Sequence, residues 1–204
     1  MRIPVTFETV KGFLDRAEAE ALFELAFELA PRGPIVEIGS YCGKSALVLG
    51  AAAREAGARL ITIDHHRGSE ENQPGWEYHD KDLWDDEAGA LDTLPHLRRA
   101  LREADLEEQV VVVVARSEAV APIWMVPIAM LFIDGGHSRE AAHTDYRLWA
   151  PRVMPGGVLA IHDVFPNPAD GGRPPFEIYE LALASGLFEE RLTVKSLRAL
   201  TRLP

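Results

Sequence analysis

Four carboxylates stand at or near the ends of short apolar runs: Glu37 in I-V-E-I, Asp64 after L-I-T-I, Asp134 after I-A-M-L-F-I, and Asp163 after V-L-A-I-H. Two histidines accompany them, His137 just beyond Asp134 and His162 directly before Asp163. Acids and imidazoles of this kind can bind a diol or an amine, ligate a divalent cation, or move a proton. A histidine with an ordinary pKa of about 6.5 suits proton abstraction from a hydroxyl at neutral pH, which makes His137 a candidate base. Its competing role is a helix-cap or core-edge histidine bonded to backbone. Each apolar run reads as a strand, and strand ends in an open α/β sheet converge on one crevice. Acids phased with the strands therefore point to one site.

The elements that must position these groups begin with P-I-V-E-I-G-S-Y-C-G-K-S, residues 34–45. This is a strand, a glycine turn and the start of an alanine- and leucine-rich helix running to Ala56. Such a unit presents a helix N-terminus to a ligand at the sheet edge. Three motifs compete for the turn. A dinucleotide fingerprint, G-x-G-x-x-G, is broken by Ser40 and Tyr41, leaving only Gly39 and Gly43. A phosphate loop needs four residues before G-K-[ST], and Ser40, Tyr41 and Cys42 fall one short. The third is E-x-G-x-x-x-G, in which Glu37 takes a cationic or amine-bearing group and the glycines allow close approach. Asp64, closing the second strand, stands where Rossmann-like folds bind ribose hydroxyls, since a carboxylate accepts two hydrogen bonds from a diol. Val110 to Val114 reads as a strand buried on both faces and delivers Ser117, whose hydroxyl can donate and accept. Ser117 also suits an N-cap for a helix over 118–125.

The E-x-G-x-x-x-G turn resembles motif I of the class I S-adenosylmethionine-dependent methyltransferases. Tyr41-Cys42-Gly43 followed by Ser45 is similar to the catechol O-methyltransferase type. I-D-G-G-H-S and P-G-G-V-L-A-I-H-D-V resemble a family of small bacterial methyltransferases, so the likeness spans roughly 33–204. It implies a Rossmann-like α/β fold with a mostly parallel seven-stranded sheet, a C-terminal antiparallel hairpin and helices on both faces. It implies S-adenosylmethionine as cofactor: Glu37, Gly39, Ser40, Tyr41, Gly43 and Ser45 at the methionine end, Asp64 at the ribose, Ser117 at the adenine, and Asp134 beside them. It places a metal on Asp134, His162 and Asp163, with His162 standing where an aspartate is usual. Magnesium prefers all-oxygen coordination and imidazole suits a transition ion such as Mn²⁺. So the metal differs, or His162 supports the site without ligating or acts as an acid/base group, or no metal binds. His137 stands where related enzymes have a lysine base. The implied activity is methyl transfer to a small-molecule hydroxyl. A phosphate-loop-like ATPase and a noncatalytic S-adenosylmethionine-binding module are the alternatives.

The remaining chain frames this site. Residues 1–32 form a helical lead-in, capped at Asp15, whose Leu14, Ala17, Ala21, Leu25 and Leu29 mark a packing face without chemistry. Residues 65–92 lack periodicity and read as an insert over the substrate pocket, with Trp76, Tyr78 and Trp84 as its apolar contribution. Its His65, His66 and His79 are either metal ligands or solvated or hydrogen-bonded loop histidines. Phe176 to Ala184 reads as a helix, Leu187 to Val194 and Leu197 to Arg202 as the closing hairpin. At 204 residues the chain suits one domain, 1–204. A net charge of -11 argues against gripping nucleic acid. No apolar run is long enough to span a membrane. Met1-Arg2-Ile3-Pro4 lacks a signal peptide's features and the single cysteine excludes a disulfide framework, which points to the cytoplasm. Small molecules are the expected partners, and a homo-oligomer is compatible with all of this.

Overall fold

Asp15 starts the first helix, α1 (Arg16–Leu29), with a capping box: its side chain accepts from Ala17 N at 2.8 Å and the Glu18 side chain accepts from the Asp15 N–H at 3.1 Å. The computed structural model describes residues 3–76 and 78–204. Expectations that rest on Met1 and Arg2, and residue Glu77 of the insert, lie outside the described residues. The buried face of α1 runs through Glu18, Leu22, Leu25 and Leu29 rather than through Ala17 and Ala21. An acid thus lies on the apolar stripe of the lead-in.

Then follow β1 (Ile35–Ile38), α2 (Lys44–Glu55), β2 (Leu60–Asp64), a small hairpin of β3 (Trp84–Asp85) and β4 (Ala90–Leu91), α3 (Leu94–Glu103) and β5 (Val110–Val114). The second half carries α4 (Ser117–Val120), β6 (Ile128–Ile133), α5 (Arg139–Trp149), β7 (Val153–Ile161), α6 (Pro174–Ala184), β8 (Phe188–Val194) and β9 (Leu197–Arg202). The main sheet has seven strands in the order β5-β2-β1-β6-β7-β9-β8, parallel from β5 to β7, with β9 antiparallel to both neighbours. The expected architecture, terminal hairpin included, is present.

Strand alternation divides the core into two layers. Ile35, Met130, Phe132, Val158 and Ala160 face α1, α2 and α3, while Val36, Leu131, Ile133, Leu159 and Ile161 face α5 and α6. Two local expectations give way. The helix expected over 118–125 stops after Val120 and tightens into a 3-10 turn, Ala121–Ile123, because Pro122 removes a backbone donor. Arg116, not Ser117, holds its N-cap position. Strand β7 begins at Val153, with Pro155-Gly156-Gly157 inside it and an irregular register against β6. Among the described residues no helix is long and apolar enough to cross a membrane.

The insert is more ordered than its aperiodic sequence suggests. Leu83 and Leu91 are buried against Cys42 behind the glycine turn, and Lys11 bonds Asp80 at 2.5 Å and Asp82 at 2.9 Å.

Candidate active site

Gly39 governs the turn after β1. Its φ is +88°, and a side-chain carbon there would lie 2.1 Å from the carbonyl oxygen of Asp134, so only glycine lets the ends of β1 and β6 meet. The turn then curls over Asp64. The Ser40 and Tyr41 N–H groups donate to Asp64 Oδ2 at 3.0 and 2.9 Å, and His66 N–H donates to Oδ1 at 2.8 Å. Three of the roughly four acceptor sites of this carboxylate are thereby taken. The expected two-bond grip on a ribose diol is reduced to one free position on Oδ1.

Beyond the turn lies a cavity of about 340 Å³, of small-molecule size. Gly39, Tyr41, Asp64, Ser117, Asp134 and His137 all line it. Glu37, Ser40, Gly43, Ser45, His162 and Asp163 do not line this cavity. Glu37 points to the other side of its strand, where Thr62 Oγ1 donates to Oε2 at 2.5 Å and Oε1 has no partner. Burial pushes its carboxyl up to about 8, against the pull of the Ser45 and Thr62 hydroxyls. Glu37 and Ser45 thus lie beneath the turn. Ser40 contributes its N–H, with its hydroxyl buried and unpartnered. Lys44, which a phosphate loop would turn toward its ligand, donates instead to Val10 O at 3.3 Å and lies 4.8 Å from the Phe7 ring.

On the far side the acids and histidines cluster. His162 is 3% exposed, its Nδ1 3.0 Å from Asp134 Oδ1 and 3.5 Å from Asp163 Oδ2. Its Nε2 lies 3.1 Å from Glu18 Oε2. Burial alone would lower the basicity of His162; Asp134, Asp163 and Glu18 outweigh it and hold the imidazole well above its usual range. Burial likewise opposes the ionisation of Glu18, yet His162 and Ser196 bring its carboxyl down to about 2. Asp134, His162 and Asp163 each offer a ligand atom within 4.8 Å of the others. This donor set fits a divalent metal. A ligating histidine commonly has its other N–H held by a carboxylate, and Glu18 stands at Nε2 for that purpose. One nitrogen and two carboxylates favour a transition ion over magnesium.

His137 bridges the cluster and the insert. Its Nε2 is 3.3 Å from Asp163 Oδ2 and its Nδ1 is 3.3 Å from Glu71 Oε1. It does not cap α5; Ser138 does, accepting from Ala141 N at 3.2 Å. The insert places Glu70 and Glu71 on the cavity wall, with Phe13 beside them. Tyr78 packs edge-on against Phe13 at 5.6 Å, while Trp84 turns to His79 and Trp76 is exposed. The insert's histidines do not assemble: buried His66 bonds Thr93 Oγ1 at 2.7 Å, His79 bonds Asn72 O at 3.0 Å, and His65 lines the cavity.

Glu18, Glu71 and Asp145 are the site groups that sequence reasoning missed. Glu18 and Asp145 carried a signal, since each is an acid on the buried stripe of its helix, Asp145 between Ala142 and Trp149. Glu71, in an aperiodic stretch dense in acids, carried none. Ser117 is buried, and its hydroxyl donates to Asp145 Oδ1 in a short hydrogen bond.

A family model described as a methyltransferase domain matches residues 36–164. The O-methyltransferase TomG from Streptomyces achromogenes, solved in complex with SAM, is 17% identical, covering 94% of this chain and 82% of its own, with a TM-score of 0.63. The O-methyltransferase NovP is 18% identical over 91% of this chain and 79% of its own, with a TM-score of 0.69. An O-methyltransferase from Bacillus cereus in complex with SAH is 18% identical over 96% and 86%, with a TM-score of 0.64. At these identities the likeness is one of fold.

Proposed function

Because this chain belongs to the methyltransferase-domain family that matches residues 36–164, we propose that it transfers the methyl group of S-adenosylmethionine to a hydroxyl of a small molecule. The observation that carries this is convergence: the Gly39 turn, Ser117, and the Asp134–His137 loop come from three separate segments and line one cavity at the carboxyl edge of the sheet. The O-methyltransferase names of the TomG, NovP and Bacillus cereus structures, two of them bound to SAM or SAH, support the cofactor and the hydroxyl preference. The ATPase alternative loses its lysine, since Lys44 points to the lead-in.

The sulfonium supplies an electrophilic methyl group when bound, so the protein must align the acceptor and remove its proton. The turn from Gly39 to Tyr41 holds the methionine end, Asp64 gives the ribose its one free acceptor position, and Ser117 stands at the adenine. His137, with Glu71 3.3 Å from Nδ1 and Asp163 3.3 Å from Nε2, takes the acceptor's proton, and the two carboxylates stabilise the imidazolium that forms. A divalent cation held by Asp134, Asp163 and His162 Nδ1 would lower the acceptor's pKa. Residues 65–92 wall the acceptor pocket through Glu70 and Glu71.

The test is calorimetric titration of the protein with S-adenosylmethionine, S-adenosylhomocysteine and ATP-Mg, each with EDTA or with Mn²⁺. It is paired with a search for S-adenosylhomocysteine release against a panel of phenols and alcohols. Binding of the two adenosyl ligands with turnover of a hydroxyl acceptor is expected. Binding of ATP alone would overturn the proposal, and adenosyl binding without turnover of any acceptor would favour the noncatalytic module.

A further inference from the structure

Asp145 is an acid in the middle of α5, 5% exposed, and it lines the cavity beside Ala115, Ser117 and Glu118. Its one hydrogen-bond partner among the described residues is the Ser117 hydroxyl, which donates to Oδ1. Its other oxygen, Oδ2, lies against Gly135, where a side-chain carbon would approach to 3.0 Å. The backbone of Gly135 needs no special freedom; the missing side chain leaves room for the carboxylate. With no protein donor at Oδ2, the carboxylate keeps an acceptor position for a molecule in the cavity that it lines. Burial raises the Asp145 carboxyl to about 6, with Ser117 pulling the other way, so near pH 7 the ionised form prevails.

This changes what Ser117 can offer. Its proton is engaged by Asp145, so the pair presents lone pairs and no donor. Such a surface matches an exocyclic amine and opposes a carbonyl. Resting on the cofactor proposed above, we propose that Asp145, held by Ser117, accepts a hydrogen bond from the 6-amino group of the adenine and makes the site select adenosyl over inosyl ligands.

The experiment compares the affinity of the intact protein for S-adenosylhomocysteine and for S-inosylhomocysteine, in which a carbonyl oxygen replaces the amine. The wild-type protein is expected to prefer the adenosyl ligand by about tenfold or more, because the oxygen would face unpaired acceptors. Asp145→Asn can turn amide protons toward that oxygen, and the preference should fall to within about twofold. A purely structural role for Asp145 would weaken both ligands together and leave their ratio unchanged, which would overturn the inference. Equal wild-type affinity for the two would overturn it without any variant. Failure to bind either ligand is a distinct outcome, and it would remove the cofactor assignment along with this inference.

Discussion

His137 and His162 approach the same carboxylate, Asp163, in opposite circumstances. His162 is enclosed, with an acid at each ring nitrogen, and can serve only as a fixed ligand or a fixed charge. His137 keeps 30% of its side chain exposed and borders the cavity, so it can exchange a proton with a bound molecule. His137→Ala is expected to lower kcat by about 10²–10⁴-fold with KM little changed. Glu71→Gln should lower kcat less and also spare KM, because it only loosens the ring's orientation. Steady-state kinetics with a phenol or alcohol that the panel shows to be turned over checks both. A rise in KM alone would instead make His137 a binding group. The sequence made His137 visible through its spacing from Asp134. Glu71 stayed hidden because its contact depends on how an aperiodic segment folds back.

The insert shows how an element can be ordered without periodicity. Its hairpin is two residues on each strand, and what secures it is the burial of Leu83 and Leu91 against Cys42. Leu91 is fully buried next to the Thr93–His66 contact, so Leu91→Ala should cost roughly 2–4 kcal/mol. Urea unfolding would measure the loss, and hydrogen exchange would show whether it stays within 65–92. A change under about 0.5 kcal/mol would mean the insert is a loosely draped loop. Regular elements were far more legible. The runs ending at Asp64, Val114 and Ile133 became strands at the expected residues, because apolar pattern and turn residues agreed. The helix expected over 118–125 is cut short at Pro122, and of the two roles open to Ser117 the cap falls away because tertiary contact with Asp145 claims its hydroxyl.

Across the whole molecule, the seven-stranded order gathers the strand ends and Glu18 ties down the back of the site. Its Oε1 accepts from Ser196 N at 2.9 Å, from Ser196 Oγ at 2.7 Å and from Leu197 N at 3.2 Å, while Oε2 meets His162. First helix, last hairpin and cluster share this joint, and no local pattern could reveal contacts between residues so distant in sequence. Glu18→Ala leaves these buried donors unpaired and should cost about 3 kcal/mol in unfolding free energy. Its carboxyl lies near 2 in the fold against an ordinary 4.5. A depressed acid contributes stability above pH 4.5 and loses it as pH falls toward 2. The gap between wild type and Glu18→Ala should therefore narrow over that window, and a constant gap would contradict the assignment.

The meeting of β1 and β6 at Gly39 also bears on how this chain can drift over generations. Since a methyl group at that position would overlap the Asp134 carbonyl oxygen, every missense codon there ends in the same collision, whatever side chain follows. Gly57 is also at positive φ, yet nothing lies within 4 Å of where its side chain would be, so asparagine or aspartate is tolerable there. Two glycines in one helix-flanking unit thus have opposite histories open to them. One has room for a side chain, while the other keeps its identity for as long as the ends of β1 and β6 must meet at the cavity.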